Sequence, residues 1–166
     1  TMPYTVFISH AVGSEDYPLV TTISTLLWQN GIQAFVAEWM PQYGTSVDQK
    51  VAAQIDASNA VLAIITNNYS RASFANQEIG YAKAKERLII PLVETGVNVT
   101  GFLYGLDRVE FNRTNIMDAA KKLIAFLRTK AHEKERDEQL GNLILIGLGI
   151  WILSEISKST SAARRS

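Results

Sequence analysis

The chain has 166 residues, 47% of them apolar, with 16 basic and 16 acidic side chains and therefore no net charge. That length suits one domain plus an extension, and the balanced charge gives no ground for a nucleic-acid partner. The absence of cysteine excludes disulfides, thiolate catalysis and Cys-based metal sites, and His10 and His132 stand in no metal-ligand spacing, so no metal is expected.

Tyr4 to Ile8 is rich in β-formers and runs into the polar turn Ser9 to Ser14, which predicts a strand ending in a loop. No basic region precedes this short apolar run, so it reads as a strand rather than a leader, and a cytoplasmic protein is expected. On that expectation the Asn-x-Ser/Thr triplets at Asn68, Asn98 and Asn112 are chance matches. Leu19, Ile23, Leu26 and Leu27 recur at helical spacing, and Asn30-Gly31 supplies the stop. A second strand is expected over 32–37, followed by Glu38 to Thr45, which Pro41 and Gly44 break too often for regular structure. Ser46 opens a Ser-x-x-Gln capping box, and Val47, Val51 and Ile55 step by four along a second helix.

Ala60 to Thr66 shows no polar alternation, as expected of a central strand covered on both faces. Asn67 to Ser70 breaks it, Ser73 serves as N-cap, and Phe74, Glu78, Ile79 and Ala82 fall on a third helix. Leu88 to Val93 predicts a fourth strand, its proline placing part of it away from a fully paired ladder. A loop with Gly96, Gly101 and Gly105 leads to a weak strand over 108–111 and a final amphipathic helix through Leu127.

Five strands alternating with helices predict an α/β fold with a parallel sheet, helices on both faces and right-handed crossovers. Ligands of such sheets bind beyond the carboxyl ends of the strands, near the topological switch point. The loops that carry His10, the Trp39 to Gly44 segment and the entry to the Glu78 helix all belong to that edge.

After Leu127 the character changes. We expect a domain over 1–128, a charged helical linker over 129–139, a hydrophobic helix over 140–156 and a basic polar tail over 157–166. The apolar run from Leu140 to Leu153 is shorter than the roughly 20 residues that span a bilayer. Its two readings are a short membrane anchor with Trp151 near an interface, or a helix that packs on another subunit.

Val6-Phe7-Ile8-Ser9-His10 before a helix, a loop closing on Pro41 and Gly44, and Ser73-Phe74-x-x-x-Glu78-Ile79-Gly80 together resemble the Toll/interleukin-1 receptor (TIR) domain family, in its bacterial and archaeal, NAD-cleaving branch. The resemblance covers about Tyr4 to Leu127 and implies a flavodoxin-like, three-layer fold with strand order 2-1-3-4-5. It implies one of two functions, cleavage of NAD⁺ at the nicotinamide–ribose bond or assembly with other TIR domains without catalysis. In the enzymatic members a glutamate of the third helix is essential, and Glu78 matches it. The chain departs from the family at His10-Ala11, where an aromatic or basic pair is usual. Glu38 follows Ala37, which stands where an acidic residue often ends the second strand, and Phe74 stands where a tryptophan is common.

On this reading NAD⁺ is the substrate, no cofactor is implied, and the products are nicotinamide and ADP-ribose or a cyclic form, in prokaryotic immunity or stress signalling. Glu78 is the catalytic candidate, against the ordinary role of a solvated helix glutamate. Breaking the bond to nicotinamide creates an oxocarbenium-like sugar, so a carboxylate beside the ribose stabilises positive charge, and because nicotinamide leaves as a neutral base no strong general acid is needed. Candidate substrate contacts are Ser9, His10, Glu38, Trp39, Gly44, Ser46 and Phe74. Ser9 and His10 would bond a phosphate or ribose, or simply end a strand. Trp39 would stack on a ring of NAD⁺, or fill a TIR–TIR contact. Gly44 would let its loop close over a ligand, or serve an ordinary turn. Ser46 heads a helix whose N–H groups attract anions, or only caps it. Phe74 would line the pocket, or belong to the core. The family also implies self-association through TIR–TIR contacts. No Gly-x-Gly-x-x-Gly or Walker sequence is present, so neither a dehydrogenase-type dinucleotide fold nor a nucleoside triphosphatase is supported.

Overall fold

A computed structural model of the chain describes residues 2–11, 15–36, 47–69 and 73–163, with 47, 48, 73, 74 and 148–163 described by backbone alone. The strands are β1 (Tyr4–His10), β2 (Ile32–Val36), β3 (Ala60–Ile65), β4 (Leu88–Glu94) and β5 (Val109–Phe111). They form one parallel sheet of order β2-β1-β3-β4-β5, the order the sequence reading expects. The helices are α1 (Tyr17–Gln29), α2 (Val47–Ala57), α3 (Ser73–Ala84) and α4 (Ile116–Ala163). The fold is the flavodoxin-like α/β arrangement. Its switch point lies between β1 and β3, because the chain leaves β1 towards β2 on one side and returns to β3 on the other.

The unbroken apolar run of β3 is explained by position: every residue from Ala60 to Ile65 is buried, with β1 on one side and β4 on the other. One core forms where Phe7 and Ala11 meet Val61, Ala63, Ile65 and Val93 on the sheet and Val51, Ile55, Ala75, Ile79 and Ala82 on α2 and α3. Side chains alternate along a strand, so Phe7, Ser9 and Ala11 share that face while Val6, Ile8 and His10 face the other. On that other side the His10 ring meets Tyr17 of α1 edge to face, with centroids 6.4 Å apart. Burying Leu19, Ile23 and Leu27 along one stripe of α1 removes about 2 kcal/mol worth of apolar surface per side chain from water.

Helix ends follow local chemistry. α1 stops at Asn30, and Gly31 takes φ +76°. α3 ends in a Schellman turn, with Arg87 N–H bonded to Ala82 O and Glu86 N–H to Lys83 O. The left-handed residue there is Glu86, at φ 54°, where glycine is usual. Pro91 sits inside β4 opposite Ala63, and β5 pairs with β4 only from Leu92 onwards, so the missing N–H falls where no β5 partner asks for it.

The chain divides into two compact units, Met2–Leu127 and Arg128–Ser166. One helix carries the final amphipathic stretch, the charged linker expected to be helical and the apolar stretch: α4 runs from Ile116 to Ala163 and takes in part of the expected tail. The charged stretch does not interrupt it because Lys130–Glu133, His132–Glu135 and Lys134–Glu138 pair at helical spacing. Leu140, Leu143, Ile144, Leu145 and Ile146 are exposed. Among the described residues no helix is long and apolar enough to cross a membrane, so the anchor reading of 140–153 finds no support. Charged turns on one helix flank too short an apolar core.

Candidate functional site

Glu78 reaches the carboxyl edge of the sheet from the shoulder of α3. Ala75, Ile79 and Ala82 set the buried face of that helix, and Glu78, one residue before Ile79, falls at its margin and is half-buried. Tyr81 Oη donates to Asp56 Oδ2 at 2.9 Å and so ties α3 to the end of α2. Ser9 lies on β1 facing α3, 1% exposed, and its hydroxyl donates to Glu78 Oε2 at 2.6 Å. A distance that short is typical of an O–H bond to an ionised carboxylate.

Behind Ser9 stands Tyr69, in the turn after β3 and 3% exposed. Its Oη is 3.4 Å from Ser9 Oγ and 3.3 Å from the carbonyl oxygen of Ala75, which it donates to. Burial pushes the phenol well above its ordinary pKa, and the charge of Glu78 pushes it the same way against the opposing hydrogen bond to Ser9. Tyr69 therefore stays a neutral hydroxyl. The arrangement joins β1, the turn after β3 and α3 beside the switch point, and leaves a carboxylate whose orientation is set by a buried donor.

His10 belongs elsewhere. It is buried on the opposite face of β1, and its Nδ1 donates to the carbonyl oxygen of Ala11 at 2.8 Å, which places the proton on that nitrogen. The strand alternation thus separates two neighbours that the sequence reading grouped together as substrate contacts. Glu38, Trp39, Gly44, Ser46 and the side chain of Phe74 lie outside the described residues.

A second polar cluster occupies the same edge. Asp16, the residue before α1, makes no side-chain cap. Its carboxylate instead accepts Thr66 Oγ1 at 2.7 Å and Arg113 at 2.8 Å, and Arg113 also clamps Glu94 at 2.6 and 3.1 Å. Burial by itself raises the Asp16 carboxyl, but the bonds from Arg113 and Thr66 and the guanidinium charge outweigh it and hold the group below its ordinary value. The two carboxylates in turn hold Arg113 more firmly protonated. This cluster links the start of α1, the ends of β3 and β4 and the segment after β5.

The sequence reading missed Tyr69, Asp16, Glu94 and Arg113. Tyr69 had one visible signal, an aromatic side chain inside the polar turn Asn67 to Ser70. The ion-pair partners had none, because Asp16 and Arg113 are 97 positions apart. Among the described residues no cluster of His, Asp or Glu is arranged to hold a metal ion.

Solved structures share the fold at low sequence identity. The TIR domain of the Toll-related receptor TRR-2 from Hydra magnipapillata superposes with a TM-score of 0.63 at 18% identity, covering 74% of this chain and 97% of its own. A prokaryotic SEFIR domain gives 0.58 at 20% identity, covering 76% and 92%. The 2-deoxyribosyltransferase of the bacterium Bacillus psychrosaccharolyticus gives 0.55 at 15% identity, covering 67% and 88%. No curated protein matches the chain in sequence. Residues 6–124 match the family model for the TIR domain, which takes in β1 through the first turns of α4 and both polar clusters of the sheet edge, and the chain belongs to the TIR domain family.

Proposed function

We propose that the protein is an NAD⁺ nucleosidase of the prokaryotic, NAD-cleaving type, with Glu78 as its catalytic carboxylate. The observation that carries this reading is the half-buried Glu78, oriented by the Ser9 hydroxyl at 2.6 Å beside the β1/β3 switch point. In the reaction the electron pair of the ribose C1′–N bond leaves with nicotinamide, which departs neutral. Positive charge develops across C1′ and the ring oxygen, and Glu78 stabilises it or holds the ribose hydroxyls. Water then adds to C1′ and loses its proton to solvent, giving ADP-ribose; attack by a group of the substrate itself gives a cyclic form. The same fold serves a 2-deoxyribosyltransferase, so glycosyl chemistry lies within its repertoire.

Activity is expected to depend on self-association, with the long α4 raising the local concentration of TIR units through helix packing. Incubating the full chain with NAD⁺ and following nicotinamide release tests the reading. Release that is lost in Glu78→Ala, while the folded spectrum is kept, supports it; undiminished release by that variant removes Glu78 from the chemistry.

A second reading, a non-catalytic adaptor that joins TIR domains, is favoured by Phe102, Tyr104 and Leu106. These side chains are exposed on the loop after β4, with Phe102 beside Gly80 of α3. No nicotinamide release together with concentration-dependent association selects it.

A further inference from the structure

Ser9 entered as a candidate substrate contact, yet it has a single hydroxyl proton, and the structure directs that proton at Glu78 Oε2. A carboxylate can only accept, so the direction of the bond is settled by chemistry. The serine is 1% exposed and paired with Ala63 of β3, one residue beyond Ile8, where β1 is paired with β2 as well. Its Oγ is therefore held by the sheet, and only rotation about one side-chain torsion could turn it away. Tyr69 limits that rotation: its neutral hydroxyl lies 3.4 Å behind Ser9 Oγ and is tied to Ala75 in the first turn of α3.

We propose that Ser9, backed by Tyr69, is the positioning residue for Glu78: it fixes the carboxylate in one orientation at the sheet edge and acts on the substrate only through it. This rests on the reading of Glu78 as the carboxylate that faces the sugar. The physical reason is conformational. A glutamate on a helix shoulder has three free torsions, and ordering such a side chain costs conformational entropy. A buried donor that orders it beforehand moves this cost from the reaction step into folding, which is how preorganised electrostatic groups gain their effect. The sheet supplies the rigidity that a surface helix lacks.

The test uses the full chain and the variants Ser9→Ala, Tyr69→Phe, Glu78→Gln and the double variant Ser9→Ala/Glu78→Gln. Kinetics with NAD⁺ are expected to show kcat reduced about 10- to 100-fold in Ser9→Ala, with KM within about twofold. Tyr69→Phe gives a smaller fall in kcat, of about two- to fivefold, and keeps the proposal testable if Ser9→Ala does not fold. The double variant loses no more than Glu78→Gln, because the charged carboxylate that Ser9 orients is already gone. A raised KM with unchanged kcat in Ser9→Ala, or multiplicative losses in the double variant, overturns the proposal. The second readout needs no turnover. In protein labelled with carboxyl-¹³C glutamate, the resonance that vanishes in Glu78→Gln is expected to move in Ser9→Ala, and an unmoved resonance overturns the positioning role. A chain that releases no nicotinamide overturns the functional reading alone, and the resonance then decides the Ser9–Glu78 contact by itself.

Discussion

Two carboxylates stand at the same edge of the sheet and are treated in opposite ways. Asp16 has a side chain only 2% exposed, and it is neutralised by Arg113 and bonded by Thr66, with Glu94 completing the clamp. Glu78 is half-buried and is oriented by the neutral hydroxyl of Ser9. A buried carboxylate matched to a guanidinium has its charge already answered, so it holds elements together. One that accepts a buried hydroxyl at the rim has its orientation set by that donor. The difference separates a structural acid from a candidate reactive one more sharply than burial alone.

The largest expected effect lies on the Glu78 side. Glu78→Gln, measured as kcat for nicotinamide release, should fall about 100-fold or more, while its unfolding free energy in urea changes by no more than about 0.5 kcal/mol. If stability falls and the rate of the folded fraction does not, the two carboxylates have been assigned the wrong way round. Asp16→Ala should do the reverse: a loss of about 2–3 kcal/mol in urea unfolding, with kcat of the folded fraction within about twofold.

Arg113→Ala should cost less, about 1–2 kcal/mol, because the guanidinium is 41% exposed and water screens what it loses. Its pH dependence carries a sign. The folded Asp16 carboxyl is held below its ordinary value of 3.8, so its contribution is fully present above roughly pH 5 and is lost as the pH falls through the folded pKa. The stability difference between wild type and Arg113→Ala should therefore narrow below about pH 4. A difference that stays constant from pH 7 to pH 3 argues that Arg113 acts by packing instead.

The smallest effect serves as a control that touches neither cluster. Glu86 holds the left-handed position of the Schellman turn at φ 54°, so Glu86→Gly should raise stability by about 0.5–1 kcal/mol in thermal unfolding and leave kcat unchanged. A rate change there would mean that the end of α3 communicates with Glu78.

Much of this was legible in one dimension. Strand and helix periods, the Asn30-Gly31 stop and the uninterrupted β3 led to a parallel sheet with helices, because burial on one face or two imposes its own pattern on neighbouring residues, and the family resemblance supplied the order of its strands. Glu78 was visible as a carboxylate on a helix after the central strand, and the family resemblance singled it out. The change from amphipathic to charged to apolar composition after Leu127 and the helical character of the charged stretch were visible too, and α4 carries all three, with i,i+3 and i,i+4 ion pairs along its charged part.

The sequence by itself determined which elements form and which end of the sheet gathers polar groups, since both follow from interactions a few residues apart. Only the tertiary structure decided that Ser9 and His10 part to opposite faces, that Ser9 reaches Glu78 across 69 positions and that Asp16 reaches Arg113 across 97. Those pairings depend on strand register and on how α3 rotates against the sheet, and both are set by the packing of the whole core.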